Sequence, residues 1–174
     1  MFLSRRNHAG RQRGEEYATS CDFATLFHNH VDELYTLSLL LTADQHKAEH
    51  CFVAGLEDCM NGNLPFRDWA ESWARRIIIK NAIRMVSPKP HENRVAGWPN
   101  DSEAPAPVAD GLRLGDITRL ASFERFVYVM SVLEGYSARD CSSLLCSTVC
   151  EVVEARTRAL QQLARIWKRA AARN

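Results

Sequence analysis

Two helix-start signals eleven residues apart constrain this chain more than any other feature. Residues Leu133 to Leu163 read LEGYSARDCSSLLCSTVCEVVEARTRALQQL. An apolar run ends at Glu134-Gly135, where a residue without Cβ can take the left-handed conformation that closes a helix. Ser137 then offers a side-chain oxygen to cap the next one. Asp140, three residues on, resembles the capping-box partner. Thr148-Val149-Cys150-Glu151 repeats the pattern as a full box, in which hydroxyl and carboxylate each satisfy an orphan backbone donor. The interval accommodates a helix of about two turns and a turn of three or four residues, the geometry of a helix-turn-helix.

The flanking sequence gives this motif a body. Ser122 is placed to cap a helix whose Phe123, Phe126, Val127, Met130 and Leu133 face inward. The last helix extends from Val149 towards Arg173, with Val152, Ala155, Ala159, Leu163 and Ile166 on its inner face. Its end carries Arg165, Lys168, Arg169 and Arg173, which favour both a helix C-terminus and a phosphate backbone. Residues 118 to 174 hold nine basic and five acidic side chains, whereas residues 19 to 86 hold six and nine, so the +1 net charge conceals a basic C-terminal part. That polarity suits a nucleic-acid contact at the C-terminal end.

Further upstream, Phe23, Leu26, Phe27, Val31, Leu34, Leu37 and Leu41 recur at helical steps and predict one amphipathic helix of about five turns. Thr42-Ala43-Asp44-Gln45 reads as another capping box, followed by a helix through Ala48, Cys51, Phe52, Leu56 and Cys59 that stops at Asn61-Gly62-Asn63. Phe66 to Val86 predicts a third helix with Trp69, Trp73 and Ile77 on one face and Arg75, Arg76, Lys80 and Arg84 interleaved. The expected fold is all-α, with two small helical domains at 19–86 and 117–174. A Pro-rich linker spans 87–116, with five prolines between positions 88 and 107 and Trp98 as its docking residue; a basic tail spans 1–18. The linker's length lets the two domains take independent positions.

Several classes of function find no support. There is no Gly-rich phosphate loop, nucleophile elbow or paired-carboxylate motif, so no catalytic residue and no cofactor is expected. His46 and His50 lie four apart beside Cys51, and His28 and His30 precede them. Without an HExxH context they read as solvated or packed side chains, and no metal is expected. The six cysteines form no CxxC pair; Cys141, Cys146 and Cys150 read as small buried residues. With 46% hydrophobic residues, no apolar run of spanning length and no signal peptide, the expectation is a soluble cytoplasmic protein without membrane contact.

The order of parts resembles that of the extracytoplasmic-function group of bacterial sigma-70 factors. LFHNHVDELYTLSLLLTADQHKAEH resembles the start of the family's region 2, in which an Ala-Glu-Asp triplet precedes the helix that binds core RNA polymerase; here the triplet reads Ala48-Glu49-His50. FRDWAESWARRIIIKNAIRMV resembles the Trp-rich helix that reads and melts the minus-ten element. LASFERFVYVMSVLEGYSARDCSSLL with the capped final helix resembles region 4, the minus-35 reader, with Cys146 where the family commonly has a turn Gly.

The resemblance implies a non-enzymatic protein that binds core RNA polymerase through Ala48, Glu49, His50, Phe52 and Val53 and directs it to promoter DNA, with an anti-sigma factor as a further partner. DNA contacts are expected from Thr148, Val149, Cys150, Val153, Glu154, Arg156, Thr157 and Arg158 on the final helix. Arg75, Arg76, Lys80 and Asn81 are expected on the nucleic-acid side of the third helix, while the spacing of Trp69 and Trp73 favours core packing over base stacking. Bidentate base readout uses Arg, Lys, Asn or Gln, so a first turn of Val149, Cys150, Glu151, Val153 and Glu154 implies weak or altered promoter specificity. The EGYS stretch also resembles the LuxR-type helix-turn-helix, which binds DNA as a dimer, but the Trp-rich third helix argues against that family. A sigma-like interaction protein without promoter reading is a third possibility, favoured by the acidic first turn.

Overall fold

A computed structural model describes residues 16–90 and 114–171. Among them the regular structure is helical: α1 (Ser20–Asn29), α2 (Val31–Thr42), α3 (Gln45–Asn61), a 3-10 turn (Arg67–Trp69), α4 (Ala70–Val86), α5 (Leu114–Thr118), α6 (Ser122–Tyr128) running on into a π-helical turn (Val129–Leu133), α7 (Ala138–Leu144) and α8 (Val149–Ala171). The fold class is all-α, as expected. Most of the expected tail and linker, Trp98 included, lies outside the described residues, as does Arg173. No described helix is long and apolar enough to cross a membrane.

The predicted five-turn first helix is two helices. Thr19 starts α1 with a capping box: its hydroxyl accepts from the Asp22 amide, and its own amide donates to the Asp22 carboxylate at 2.8 Å. The chain leaves helical geometry at His30 (φ −115°, ψ 28°) and begins again with Asp32 and Glu33 in the first turn of α2, where acidic side chains suit the positive end of a helix. Apolar periodicity could not reveal this break because it runs through it unchanged. The next start also differs from expectation. Ala43 is left-handed (φ 54°) and Asp44 is the cap, its carboxylate accepting from the Lys47 amide at 2.8 Å. Thr42 instead belongs to the end of α2, where its hydroxyl donates to the Ser38 carbonyl at 2.8 Å. Nor does Ser122 cap α6, since it is the first helical residue and Ala121 precedes it without a side-chain cap.

Helices α1 to α4 enclose Phe23, Phe27, Leu34, Leu41, Ile78 and Ile79, each with almost no exposed surface. Burial of side chains of this size stabilises the fold by roughly 1.5–3 kcal/mol apiece. Helices α3 and α4 approach so closely at Gly55 that a Cβ there would lie 2.9 Å from Ile78 Cγ1. The second group buries Ile117, Phe123, Phe126, Val127, Met130 and Leu163. Leu133, expected inward, is exposed: the π-helical turn shifts the register at the end of that run.

The buried residues of the two groups form one continuous cluster. At their junction Arg125 is 6% exposed. Its Nε and Nη2 each donate to the Leu41 carbonyl at 3.2 Å, and Nη1 donates to the carbonyls of Leu120 at 3.0 Å and Thr118 at 3.4 Å. Removing the guanidinium strands three acceptors. Arg125→Ala is expected to destabilise the chain by about 3 kcal/mol or more, read as a lower urea midpoint, and Arg125→Lys to recover little because an ammonium lacks the planar fork.

Candidate nucleic-acid interface

Both predicted caps of the helix-turn-helix are present. Ser137 Oγ accepts from the Asp140 amide at 3.1 Å, and the Ser137 amide donates back to the Asp140 carboxylate at 3.3 Å. The Ser137 hydroxyl and amide hold the Asp140 carboxyl below its ordinary range. Eleven residues on, the Thr148 amide donates to Glu151 Oε2 at 2.8 Å, and Thr148 Oγ1 accepts from the Glu151 amide at 3.2 Å. Gly135 (φ 71°) closes the preceding run in the left-handed conformation, as its sequence context implied. Between α7 and α8, Cys146 also lies at positive φ (50°), a conformation that costs an L-residue roughly 1–2 kcal/mol.

Helix α8 packs through Val152, Ala155, Ala159 and Leu163, all buried, so its opposite face points away from the body. Val149, Cys150, Val153, Glu154, Arg156 and Thr157 are exposed there, Val153 to 52%. The Thr157 hydroxyl donates to the Val153 carbonyl at 2.9 Å and is thereby partly used. Arg158 is turned inward: its Nε donates to Glu124 at 3.0 Å, and its Nη1 lies 3.5 Å from Glu154. Arg165 and Lys168 continue the exposed surface towards the C-terminal end.

Two basic residues of α4, Arg75 and Arg84, are already engaged in ion pairs. Arg75 Nη2 meets Glu33 at 2.7 Å, Nη1 meets Glu134 at 3.1 Å and Nε meets Glu71 at 3.4 Å. Glu134 comes from the second group and is largely buried; burial raises its carboxyl above the usual value, opposed by the Arg75 charge. His30, Glu33 and Glu71 bring their donor atoms within 4.8 Å of one another, the spacing of a cation site, and the Arg75 guanidinium is the cation on the two carboxylates. Arg76 lies near the Tyr136 hydroxyl, which burial pushes up and the Arg76 charge opposes. Asn81 is interior: its Nδ2 donates to Asp58 at 3.0 Å and to the Ile77 carbonyl at 3.1 Å, and its Oδ1 accepts from Arg84 at 2.7 Å. Lys80 is exposed.

Trp69 and Trp73, read together as core residues, part company. Trp73 packs partly buried against the core, whereas Trp69 is 62% exposed. Trp69 meets Phe66 edge-on with ring centroids 5.4 Å apart, and Phe66 stacks on Tyr17 at 4.7 Å. The result is a surface aromatic row that sequence reading missed, because Tyr17 reaches Phe66 through an isolated antiparallel bridge with no local signature. Of the residues assigned to polymerase, Ala48 is enclosed and Phe52 is half-buried against Phe27 and Tyr35, while Glu49, His50 and Val53 face outward. The His46 and His50 rings lie tilted by 30° with centroids 4.7 Å apart, beside an open hollow that also includes Asp44, Lys47 and Met85. Cys141 is buried as expected, its thiol pushed up to about 11 by burial; Cys146 and Cys150 are exposed, because the turn and the outer face of α8 leave them uncovered.

No protein-family model and no curated protein matches the chain. Among solved structures it is similar to the sigma factor RpoE in complex with the anti-sigma factor NepR, from Bartonella quintana. The identity is 18%, over 84% of this chain and 97% of that one, with a TM-score of 0.48.

Cys146 gives the helix-turn-helix a direct test. Cys146→Gly relieves the left-handed strain and is expected to raise stability by about 1 kcal/mol, read as a higher denaturation midpoint; Cys146→Val is expected to lower it.

Proposed function

We propose that this chain is a sigma-like transcription initiation protein that binds core RNA polymerase and directs it to promoter DNA. The observation that carries this reading is the pair of capped helix starts at Ser137 and Thr148, which hold α8 with its inner face buried and its outer face free. On this reading α8 lies in the major groove. Val149 and Val153 offer methyl contacts to thymine, Arg156 reaches a base edge or phosphate, and Arg165 and Lys168 neutralise phosphates. The order of parts supports the assignment, since the segment Phe66–Val86 with Trp69 and Trp73 precedes the helix-turn-helix as in the sigma factors that the sequence resembles. Glu49, His50 and Val53 are the outward-facing members of the segment assigned to polymerase. An anti-sigma factor is a further partner on the same reading.

The row Tyr17, Phe66 and Trp69 supplies what capture of an unpaired base requires, an exposed aromatic ring held in place by its neighbours. Arg75 reaches nucleic acid only after Glu134 withdraws, and Asn81 serves the interior. This engagement, together with the acidic and apolar first turn of α8, favours a second reading: a sigma-like protein that binds polymerase without reading a promoter.

Reconstitution with core polymerase tests both. Run-off transcription from a defined start is expected for the first reading, and core binding without initiation for the second; a chain that never binds core overturns both. A dimer shifting palindromic DNA without polymerase would point instead to a LuxR-type regulator.

Arg156→Ala is expected to weaken duplex binding and lower the salt slope by about one. Arg158→Ala is expected to act mainly on stability, by about 1 kcal/mol, because its partner is Glu124. Trp69→Ala is expected to weaken binding to single-stranded DNA by about 1–3 kcal/mol while leaving the thermal midpoint nearly unchanged.

A further inference from the structure

His46 and His50 stand four apart on α3, so their side chains leave the same face of the helix one turn from each other. Both are exposed, and neither imidazole is engaged in a hydrogen bond or an ion pair with another described residue. An ion bonded at about 2.1 Å to one nitrogen of each ring, with each ring centre roughly 1.1 Å behind that nitrogen, holds the two centres about 4.5–5.2 Å apart for bond angles of about 90–109°. The observed separation is 4.7 Å. The two rings therefore already stand at the spacing that a shared metal ion sets.

The pair opens onto the hollow that Asp44, Lys47 and Met85 also border. Met85 comes from the last turn of α4, so two helices build the hollow and the His-x-x-x-His spacing alone does not reveal it. Asp44 caps α3 with one carboxylate oxygen, which accepts from the Lys47 amide at 2.8 Å, and has a second oxygen to spare. Its charge offsets the Lys47 ammonium and the positive end of α3, both of which oppose a cation here. We infer that His46 and His50 chelate a divalent late first-row transition-metal ion, with Asp44 balancing its charge and water filling the remaining positions. Two imidazoles suit copper, nickel or zinc, whereas magnesium and calcium take oxygen ligands. The other group with donors at metal spacing, His30, Glu33 and Glu71, already has the Arg75 guanidinium on its carboxylates. His50 belongs to the segment assigned to polymerase, so on that reading ion and core meet on one surface; the binding of metal itself does not depend on that reading.

Nickel(II) is the probe, because it binds imidazole and does not cycle with thiols, and calorimetric titration of the full chain is the measurement. The exposed thiols are removed beforehand by Cys21→Ser, Cys146→Ser and Cys150→Ser. One ion per chain is expected. His46→Ala and His50→Ala are each expected to weaken binding by about tenfold or more, because a lone imidazole loses the intramolecular second contact. Both positions are exposed, so the thermal midpoint is expected to stay where it is. Asp44→Asn keeps a helix cap while removing the charge, and is expected to weaken binding by about threefold. His28→Ala is expected to change nothing. A chain that takes up no nickel(II) at millimolar concentration overturns the inference, as does an affinity unchanged by either His46→Ala or His50→Ala. A loss produced by His30→Ala in their place puts the ion on the Glu33 and Glu71 side and overturns it too. Failure of the chain to bind core polymerase leaves the titration result standing.

Discussion

Arg125 brings a charged group into the interior where the two helical groups meet, and its partners are carbonyl oxygens at 3.0 to 3.4 Å. Taking a guanidinium out of water costs several kcal/mol, and here that burden shows as a side chain whose pKa burial lowers to about 10. Leu41 sits in the last turn of α2, so its carbonyl belongs to the negative end of that helix, where a cation is favoured. The carbonyls of Thr118 and Leu120 come from the end of α5 and the bend after it. One side chain thus ties the end of α2 to the segment 118–120 before its own helix, although Leu41 lies 84 residues away in the chain. The placement of α6 against α2, and through it of the whole helix-turn-helix against the first bundle, depends on that fork.

A second arginine makes the same junction electrostatically closed. Arg75 holds Glu33 from α2, Glu71 from its own helix and Glu134 from the end of the π-helical turn. Glu33 and Glu71 are exposed and contribute modestly, but Glu134 is largely shielded, so its bond to Arg75 is screened least by salt. Arg76 lies near the Tyr136 hydroxyl in the same place. The basic character of α4 seen in the sequence is therefore largely spent on carboxylates of both helical groups, Arg75 on Glu33, Glu71 and Glu134 and Arg84 on Asp58, while Lys80 stays exposed. Phosphate and Glu134 compete for the same guanidinium, which makes opening of this junction a condition for any nucleic-acid role of Arg75.

Features set by near neighbours were legible in the sequence. The boxes at Ser137–Asp140 and Thr148–Glu151 each close over three residues, Gly135 needs only its own φ, and the inner face of α8 follows from helical period. Arg125 was not legible, because its acceptor Leu41 lies 84 residues away and nothing local distinguishes it from a solvated arginine. The division of Trp69 from Trp73 was hidden for a related reason. A 3-10 turn at Arg67–Trp69 takes Trp69 off the face that helical spacing assigns to it, and Tyr17 and Phe66 meet it from elsewhere. The Thr42 box failed because two residues could serve as caps. Asp44 won by letting Ala43 close α2 in the left-handed region.

The outer face of α8 poses the remaining physical problem for a DNA reader. A bidentate donor at a base edge is worth about 1–3 kcal/mol of discrimination, and the first turn of this helix presents methyl groups, a thiol and carboxylates in its place. Methyl contacts separate thymine from cytosine only weakly, and a carboxylate close to phosphate is repelled. Sequence preference from α8 alone would therefore be shallow, with most of the affinity resting on phosphate contacts near Arg165 and Lys168 and falling steeply with salt. Such a helix becomes effective when another attachment already holds it near the duplex, since a second contact is then intramolecular and needs little intrinsic strength. Core polymerase would supply that attachment on the proposed reading. An isolated chain has no such tether, so its hold on a duplex would rest on those phosphate contacts alone.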